Sequence, residues 1–250
     1  MMHFIIGNYG NETIALLSWA KANNLSDLYC LYVDTGWAAP SWGERVHAAE
    51  SWVRSLGFTP LTLKSQLDFA EMVRSRGEFP NRKFQWCAST LKGLTLLDYL
   101  EVQDPLREGI IMLPHRRSLS PKLQDLPEWV EESEYYAGRK LWYPLYLHDE
   151  ALVQARVAAT PFPWLLHRSL ECDPCVNSDK CDLLRGEAKV STKAAALERE
   201  LGMPMLDASM YQQGEDIFSL WQRLGKEQSC PHQNKYLFDQ SCASPFACGL

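Results

Sequence analysis

No apolar run in the 250-residue chain approaches the roughly 20 residues that span a bilayer, so no membrane-spanning helix is expected. The opening residues MMHFIIGNYG lack a basic leader ahead of a long apolar core. A signal peptide is therefore not expected, and the cytoplasm is the expected compartment. Basic charge is also short, with 25 Lys and Arg against 31 Asp and Glu, a net charge of −6 and a pI near 5.6. Proteins that coat nucleic acid by neutralising phosphates carry the opposite balance, which disfavours nucleic acid as a partner. Internal repeats and low-complexity tracts are missing too. What remains is ordinary globular composition, 46% hydrophobic and 22% charged, long enough for one large α/β domain or a domain with an appendage.

The chain does have eight cysteines. Cytosolic thiols stay reduced, so a disulfide framework is not expected and metal or redox chemistry leads. Cys30 is the exception. It lies inside the apolar run LYCLYV and reads as a small core residue.

Short apolar runs alternate with helix-length segments. Strands are expected over FII (4–6), 28–34, 60–64, 109–114 and 141–147, with helices from Ile14, over 40–57 and over 89–102. In the last helix Leu91, Leu94, Leu97 and Leu100 fall on one side. Strands separated by crossovers imply a mostly parallel five-stranded sheet flanked by helices, residues 1–160. A cysteine-rich C-terminal region, 161–250, is expected to lie against it with one helix over 183–202.

Three loops at strand ends carry the chemistry. Gly7 and Gly10 frame a polar turn, Asn8 to Thr13, between a strand and a helix. That geometry points backbone N–H groups and a helix N-terminus at an anion. An ordinary turn using glycine for its backbone freedom is the simpler alternative. After the second strand, Asp34, Thr35 and Gly36 suit a ribose or adenine edge, or a turn that Asp34 starts and Gly36 completes. After the fourth, LPHRRSLSPK holds His115, Arg116, Arg117 and Lys122. Arginines fork onto phosphate or sulfate oxygens, although a solvated basic loop has the same composition. In a parallel sheet all three loops share the carboxyl edge, where ligands bind.

These segments resemble the PP-loop adenine-nucleotide α-hydrolases, and within them the phosphoadenylyl- and adenylyl-sulfate reductases. NYGNET (8–13) looks like the family's Ser-x-Gly-x-Asp-Ser loop, with Asn8, Glu12 and Thr13 at the departures. DTGW (34–37) matches its Asp-Thr-Gly segment. RRSLSPK (116–122) resembles its Arg-Arg-x-x-Ser segment through Arg117 and Ser120, and WYPLYLHDEALV (142–153) its apolar-Pro-Leu segment before an acidic helix start. The resemblance spans roughly residues 4–190. It implies an adenine-nucleotide site on Asn8, Tyr9, Gly10, Asn11, Glu12, Thr13, Asp34, Thr35, Gly36, Arg116, Arg117 and Ser120, binding ATP or an adenylyl sulfate. Glu12 retains a carboxylate able to face Mg²⁺.

Cys172-x-x-Cys175 has the spacing at which two thiolates converge on one metal or cluster. In the iron–sulfur branch of the family a Cys-Cys pair precedes such a motif at a similar distance. Here Trp86 stands at the first of the pair and Cys87 at the second. Cys87, Cys172 and Cys175 are thus implied ligands, with Cys181 inferred as the fourth. A [4Fe–4S] cluster, a structural Zn²⁺ site and uncoordinated thiols all suit this set. The terminal ACGL resembles the reductases' Glu-Cys-Gly-Leu-His segment, whose cysteine attacks sulfur. Ala247 replaces the Glu, and the sequence ends at Leu250. Cys248 is the implied nucleophile, with Arg117 assisting; alternatively Cys248 pairs with Cys242 or Cys230.

The expected protein is a sulfonucleotide-reductase-like enzyme that transfers sulfur or adenylyl groups, served by a thiol electron or sulfur donor protein. A PP-loop ATP pyrophosphatase that thiolates or adenylates a base or metabolite is the alternative. A nucleotide sensor with altered catalytic residues is the alternative of another class.

Overall fold

The computed structural model describes residues 1–81, 83–186 and 188–227 together with Phe246, and of 188–190 only the backbone. Seven elements build the amino-terminal layers: β1 (His3–Ile6), α1 (Asn11–Ala22), β2 (Leu28–Asp34), α2 (Pro40–Ser55), β3 (Thr59–Lys64), α3 (Phe69–Arg76) and α4 (Leu94–Gln103). β4 (Ile110–Met112), β5 (Trp129–Val130) and β6 (Lys140–Trp142) complete the sheet, and α5 (Glu150–Ala158) follows. The sheet order is β3-β2-β1-β4-β6-β5, parallel except for the β5–β6 pair.

β1 is central, with His3 opposite both Leu28 and Ile110. Its alternation divides the core. Ile5 packs with Ile14, Leu17 and Ala49 on one face, while Phe4 and Ile6 pack with Leu96, Leu100 and Leu141 on the other.

The α/β architecture is as the sequence implies, but the sheet has six strands rather than five. The extra strand, β5, is two residues long, too short to show a period, and is held to β6 by the Trp129 and Trp142 rings stacked at 4.7 Å. The expected leucine stripe of the fourth helix also shifts. Residues Cys87–Gly93 form a π-helix ahead of α4, and the wider turn rotates the buried side. Leu91, Leu96 and Leu100 are buried, while Leu94 is 55% exposed.

Beyond Pro161, three α-helices stand among the described residues where one is expected: α6 (Lys180–Arg185), α7 (Ala188–Leu201) and α8 (Ile217–Glu227). Ile217, Leu220 and Leu224 of α8 bury one face at helical spacing. They join Trp37, Phe69, Trp86 and Leu91 in a third apolar cluster. Buried Glu198 accepts hydrogen bonds from the Met205 and Ile217 amides at 2.7 and 2.6 Å and from the Tyr211 hydroxyl at 2.5 Å. One carboxylate thus closes the irregular segment between α7 and α8.

Arg139 is fully buried and ties the end of α4 to the start of β6. Its guanidinium donates to Asp104 Oδ2 at 2.8 Å and to the carbonyls of Asp104 and Leu100 at 2.8 and 3.0 Å. Arg139→Leu strands the buried Asp104 carboxylate. It is expected to lower the unfolding free energy by about 3–5 kcal/mol, read from urea denaturation at constant m-value.

Candidate nucleotide and cysteine site

The parallel strands bring the loops after β1, β2 and β4 to one edge of the sheet. In the first loop, Asn8 is 1% exposed and organises the turn. Its Oδ1 accepts from the Gly10 amide at 2.8 Å, and its own amide N–H donates to Thr13 Oγ1 at 3.2 Å. A Cβ on Gly7 would lie 2.3 Å from Thr13 Cγ2, so only glycine lets Thr13 close the loop this tightly. The left-handed position is Tyr9 (φ 62°), not Gly10, whose φ of −70° any residue adopts.

Arg45 holds that strained residue. Its Nε donates to the Tyr9 carbonyl at 2.7 Å, and its guanidinium lies 5.5 and 5.3 Å from the Trp42 and Phe162 ring centroids. Burial lowers its pKa to about 10. Sequence reasoning passed over Arg45 because it sits in mid-helix rather than in a strand-end loop; an arginine between tryptophans was the available signal.

Glu12, in the first turn of α1, is buried and pairs with Arg116 from the loop after β4 at 3.4 Å. Burial pushes the Glu12 carboxyl up and Arg116 opposes that rise. Arg116 also donates to Ser118, while its buried Nε has no hydrogen-bond partner among the described residues. The Thr35 hydroxyl is orphaned in the same way. Two buried polar groups without protein partners, on two of the three loops, fit a polar ligand at this edge.

Other candidates take local roles. Asp34 Oδ1 accepts from the Gly36 amide at 2.8 Å, and Gly36 is left-handed, with Asp68 2.7 Å from where its Cβ would be. Asn11 faces away from the loop, exchanging two 2.9 Å hydrogen bonds with the Leu165 backbone. Ser120 caps the turn at Lys122. Arg117 is exposed; its Nε donates to the Leu126 carbonyl at 2.8 Å and its guanidinium lies 5.3 Å from the Tyr146 ring centre. Among the described residues it is Arg116, not Arg117, that joins the first loop.

The cysteine-bearing segments adjoin these loops. Glu171 Oε1 accepts from Asn8 Nδ2 at 3.0 Å, and Glu171 Oε2 meets Lys92 Nζ at 2.5 Å, all three side chains being buried. Lys92 lies in the π-helix that starts at Cys87, and Glu171 precedes Cys172. At the other end Gln85 Nε2 reaches Asn177 Oδ1 at 3.5 Å. Those two bonds bracket Cys87 against the Cys172–Cys175 turn. Trp37 grips the turn, its carbonyl accepting from the Asp173 amide at 2.9 Å and its indole donating to the Pro174 carbonyl at 3.0 Å.

Cys87, Cys172 and Cys175 are half-buried and line one apolar cluster. Cys175 Sγ accepts from the Asn177 amide at 3.5 Å. Among the described residues, no three metal-ligating side chains are assembled closely enough to hold an ion. Cys181 is disulfide-bonded, so in this structure it offers no thiolate as the inferred fourth ligand, contrary to the reduced state expected. Cys30 is in the core as expected, its thiol pushed up to about 12 by burial. Cys230, Cys242 and Cys248 lie outside the described residues.

No family model and no curated protein sequence matches the chain. Solved structures similar to it include phosphoadenylyl-sulfate (PAPS) reductase from Candida auris in a phosphate complex, 17% identical over 66% of this chain and 75% of that one, TM-score 0.47. Another is the U34-tRNA thiolase NcsA from Methanococcus maripaludis with its [4Fe-4S] cluster, 13% identical over 94% of this chain and 74% of that one, TM-score 0.41. Candida glabrata FMN adenylyltransferase, in complex with FMN and the ATP analog AMPCPP, is 14% identical over 65% of this chain but only 49% of its own, TM-score 0.43. Any functional reading rests on the site itself.

The two arginines separate cleanly by experiment. Arg116→Ala leaves Glu12 buried and unpaired, an expected loss of about 3–5 kcal/mol of stability that a Glu12→Gln/Arg116→Met double variant recovers in large part. Arg117→Ala is expected to cost about 1 kcal/mol or less, since it forfeits an exposed hydrogen bond and an aromatic contact. Denaturant titration of the three variants checks the order.

Proposed function

We propose that the chain is an enzyme that binds an adenine nucleotide at the carboxyl edge of its sheet and transfers sulfur or an adenylyl group. The observation that carries this reading is the buried Asn8–Glu171–Lys92 chain, which joins the anion loop to both cysteine-bearing segments. A nucleotide site and a set of thiols built into one hydrogen-bonded unit suit chemistry that needs both.

In this reading the amides of the Asn8–Thr13 loop and the Arg116 guanidinium receive phosphate or sulfate oxygens, with Arg117 and Ser120 at the outer end. Asp34, Thr35 and Gly36 receive the ribose and adenine edge. Cys87, Cys172 and Cys175 are soft donors of the type that holds a [4Fe–4S] cluster or Zn²⁺, and holding one requires them to draw closer together than they lie in this structure. Such a centre, when bound, would contribute electron transfer or sulfur activation. Trp86, buried at the neighbouring position, offers no further thiolate. In the sulfonucleotide form of the reaction, the Cys248 thiolate attacks the sulfate sulfur as the nucleotide monophosphate leaves, and a donor dithiol protein then releases sulfite from the thiosulfonate, ending as its disulfide.

ATP chemistry is a second reading, favoured by Glu12. A buried carboxylate at the loop, released from Arg116 as phosphate takes that guanidinium, would be a hard oxygen donor able to hold Mg²⁺, which would supply charge neutralisation to the nucleotide. Anaerobically purified protein offered ATP, adenylyl sulfate and phosphoadenylyl sulfate distinguishes the forms. Sulfite and nucleotide monophosphate mark reduction, and pyrophosphate marks ATP chemistry. Binding without any release identifies a nucleotide sensor and removes the enzyme reading.

Iron, sulfide and zinc analysis tests the thiol set. Cys87→Ala, Cys172→Ala and Cys175→Ala are each expected to lose most bound metal, because a missing thiolate leaves a labile site. Cys30→Ala is expected to retain it. Equal loss in the Cys30 variant would refute the assignment.

A further inference from the structure

Beyond the nucleotide loops, a pocket of about 420 Å³, open to solvent, lies between the exit of β4 and the β5–β6 pair. Its size falls in the range of about 300–1,000 Å³ typical of small-molecule sites. Leu126, Leu141 and Tyr143 form apolar walls, and buried His115 closes the inner end. Ser133 is 4% exposed, yet its hydroxyl has no hydrogen-bond partner among the described residues. At the mouth, exposed Glu132 and Glu134 take part in no ion pair among the described residues, whereas adjacent Glu131 is bridged to Lys140 at 2.6 Å.

These features select a ligand. Aliphatic and aromatic walls want an apolar body, the Ser133 hydroxyl wants a polar group, and two uncompensated carboxylates want a cation. A buried hydroxyl without a partner costs free energy that a bound polar group recovers. The position matters equally. His115 directly precedes Arg116, whose guanidinium meets Glu12 of the first loop, so the closed end of the pocket lies one residue along the chain from the first-loop contact.

We propose that this pocket receives the acceptor of the transfer reaction, an amine-bearing molecule with an apolar body. The inference rests on the nucleotide reading above for the acceptor role, and on the pocket alone for the ligand class.

Dansylcadaverine, an aromatic primary amine, is a suitable probe, with dansylglycine as its acidic counterpart. The amine is expected to bind saturably with a blue-shifted emission, and the acid far more weakly. Glu132→Gln/Glu134→Gln is expected to weaken the amine roughly fivefold, since each exposed carboxylate contributes modestly. Val130→Trp, which fills the pocket from its β5 wall, is expected to abolish binding. Neither change touches the nucleotide loops, so ATP affinity by equilibrium dialysis should be unaltered. An acceptor must bind alongside the nucleotide, so the amine should still titrate at saturating ATP. Equal binding of acid and amine, or binding untouched by Val130→Trp, would overturn the pocket. Mutual exclusion of probe and ATP would overturn the acceptor role. Failure of ATP to bind the parent protein at all would instead sink the nucleotide reading, with the probe titration still reporting the ligand class.

Discussion

The side chain on which the site depends is Glu171. A buried carboxylate carries a desolvation cost of several kcal/mol unless its lone pairs are filled, and here both oxygens are engaged, one by Asn8 and one by Lys92. Asn8 cannot turn without releasing Gly10 and Thr13, and Lys92 cannot withdraw without stranding the carboxylate within the core. The conformation of the Asn8–Thr13 loop and the approach of the π-helix to the Cys172–Cys175 turn are therefore coupled. Neither can relax alone at small cost.

The same constraint explains a departure that looks unfavourable in the sequence. A hydroxyl at position 8 would accept and donate within the loop, but its reach is too short to engage a carboxylate as the Asn8 amide does. Asparagine divides its two ends, Oδ1 to the loop and Nδ2 outward to Ser169 and Glu171. The residue that weakens the match to the family loop is the one that fastens the loop to the cysteine-bearing region.

Much of this was legible from residue order. Unbroken apolar runs placed β1 and β2, and parallel crossovers put the loops after β1, β2 and β4 on one edge. Cys30 read correctly as core from its apolar neighbours. The sixth strand was not legible, because two residues cannot display a period of two. The leucine stripe misled because a π-helix has no signature distinct from an α-helix in apolar spacing. Choosing between Arg116 and Arg117 was beyond sequence pattern too. Adjacent residues in the extended backbone leaving β4 point opposite ways, and only the position of Glu12 decides which one is drawn inward.

Trp37 shows how the two halves of the site share one frame. Its ring lies 4.7 Å from Phe69 and its indole and carbonyl both bond the turn between Cys172 and Cys175. Two residues before it, Thr35 accepts the Phe69 amide at 2.8 Å through its carbonyl while its hydroxyl has no partner among the described residues. A single loop thus presents an unsatisfied donor towards the sheet edge and a rigid aromatic clamp towards the thiols. Movement of that loop on binding a ligand would be transmitted to the cysteine turn through one backbone hydrogen bond, from the Asp173 amide to the Trp37 carbonyl, and one from the buried Trp37 indole to the Pro174 carbonyl. That stiffness is what a reaction between a bound nucleotide and a thiol requires, because reacting groups gain most when their separation is set before they meet.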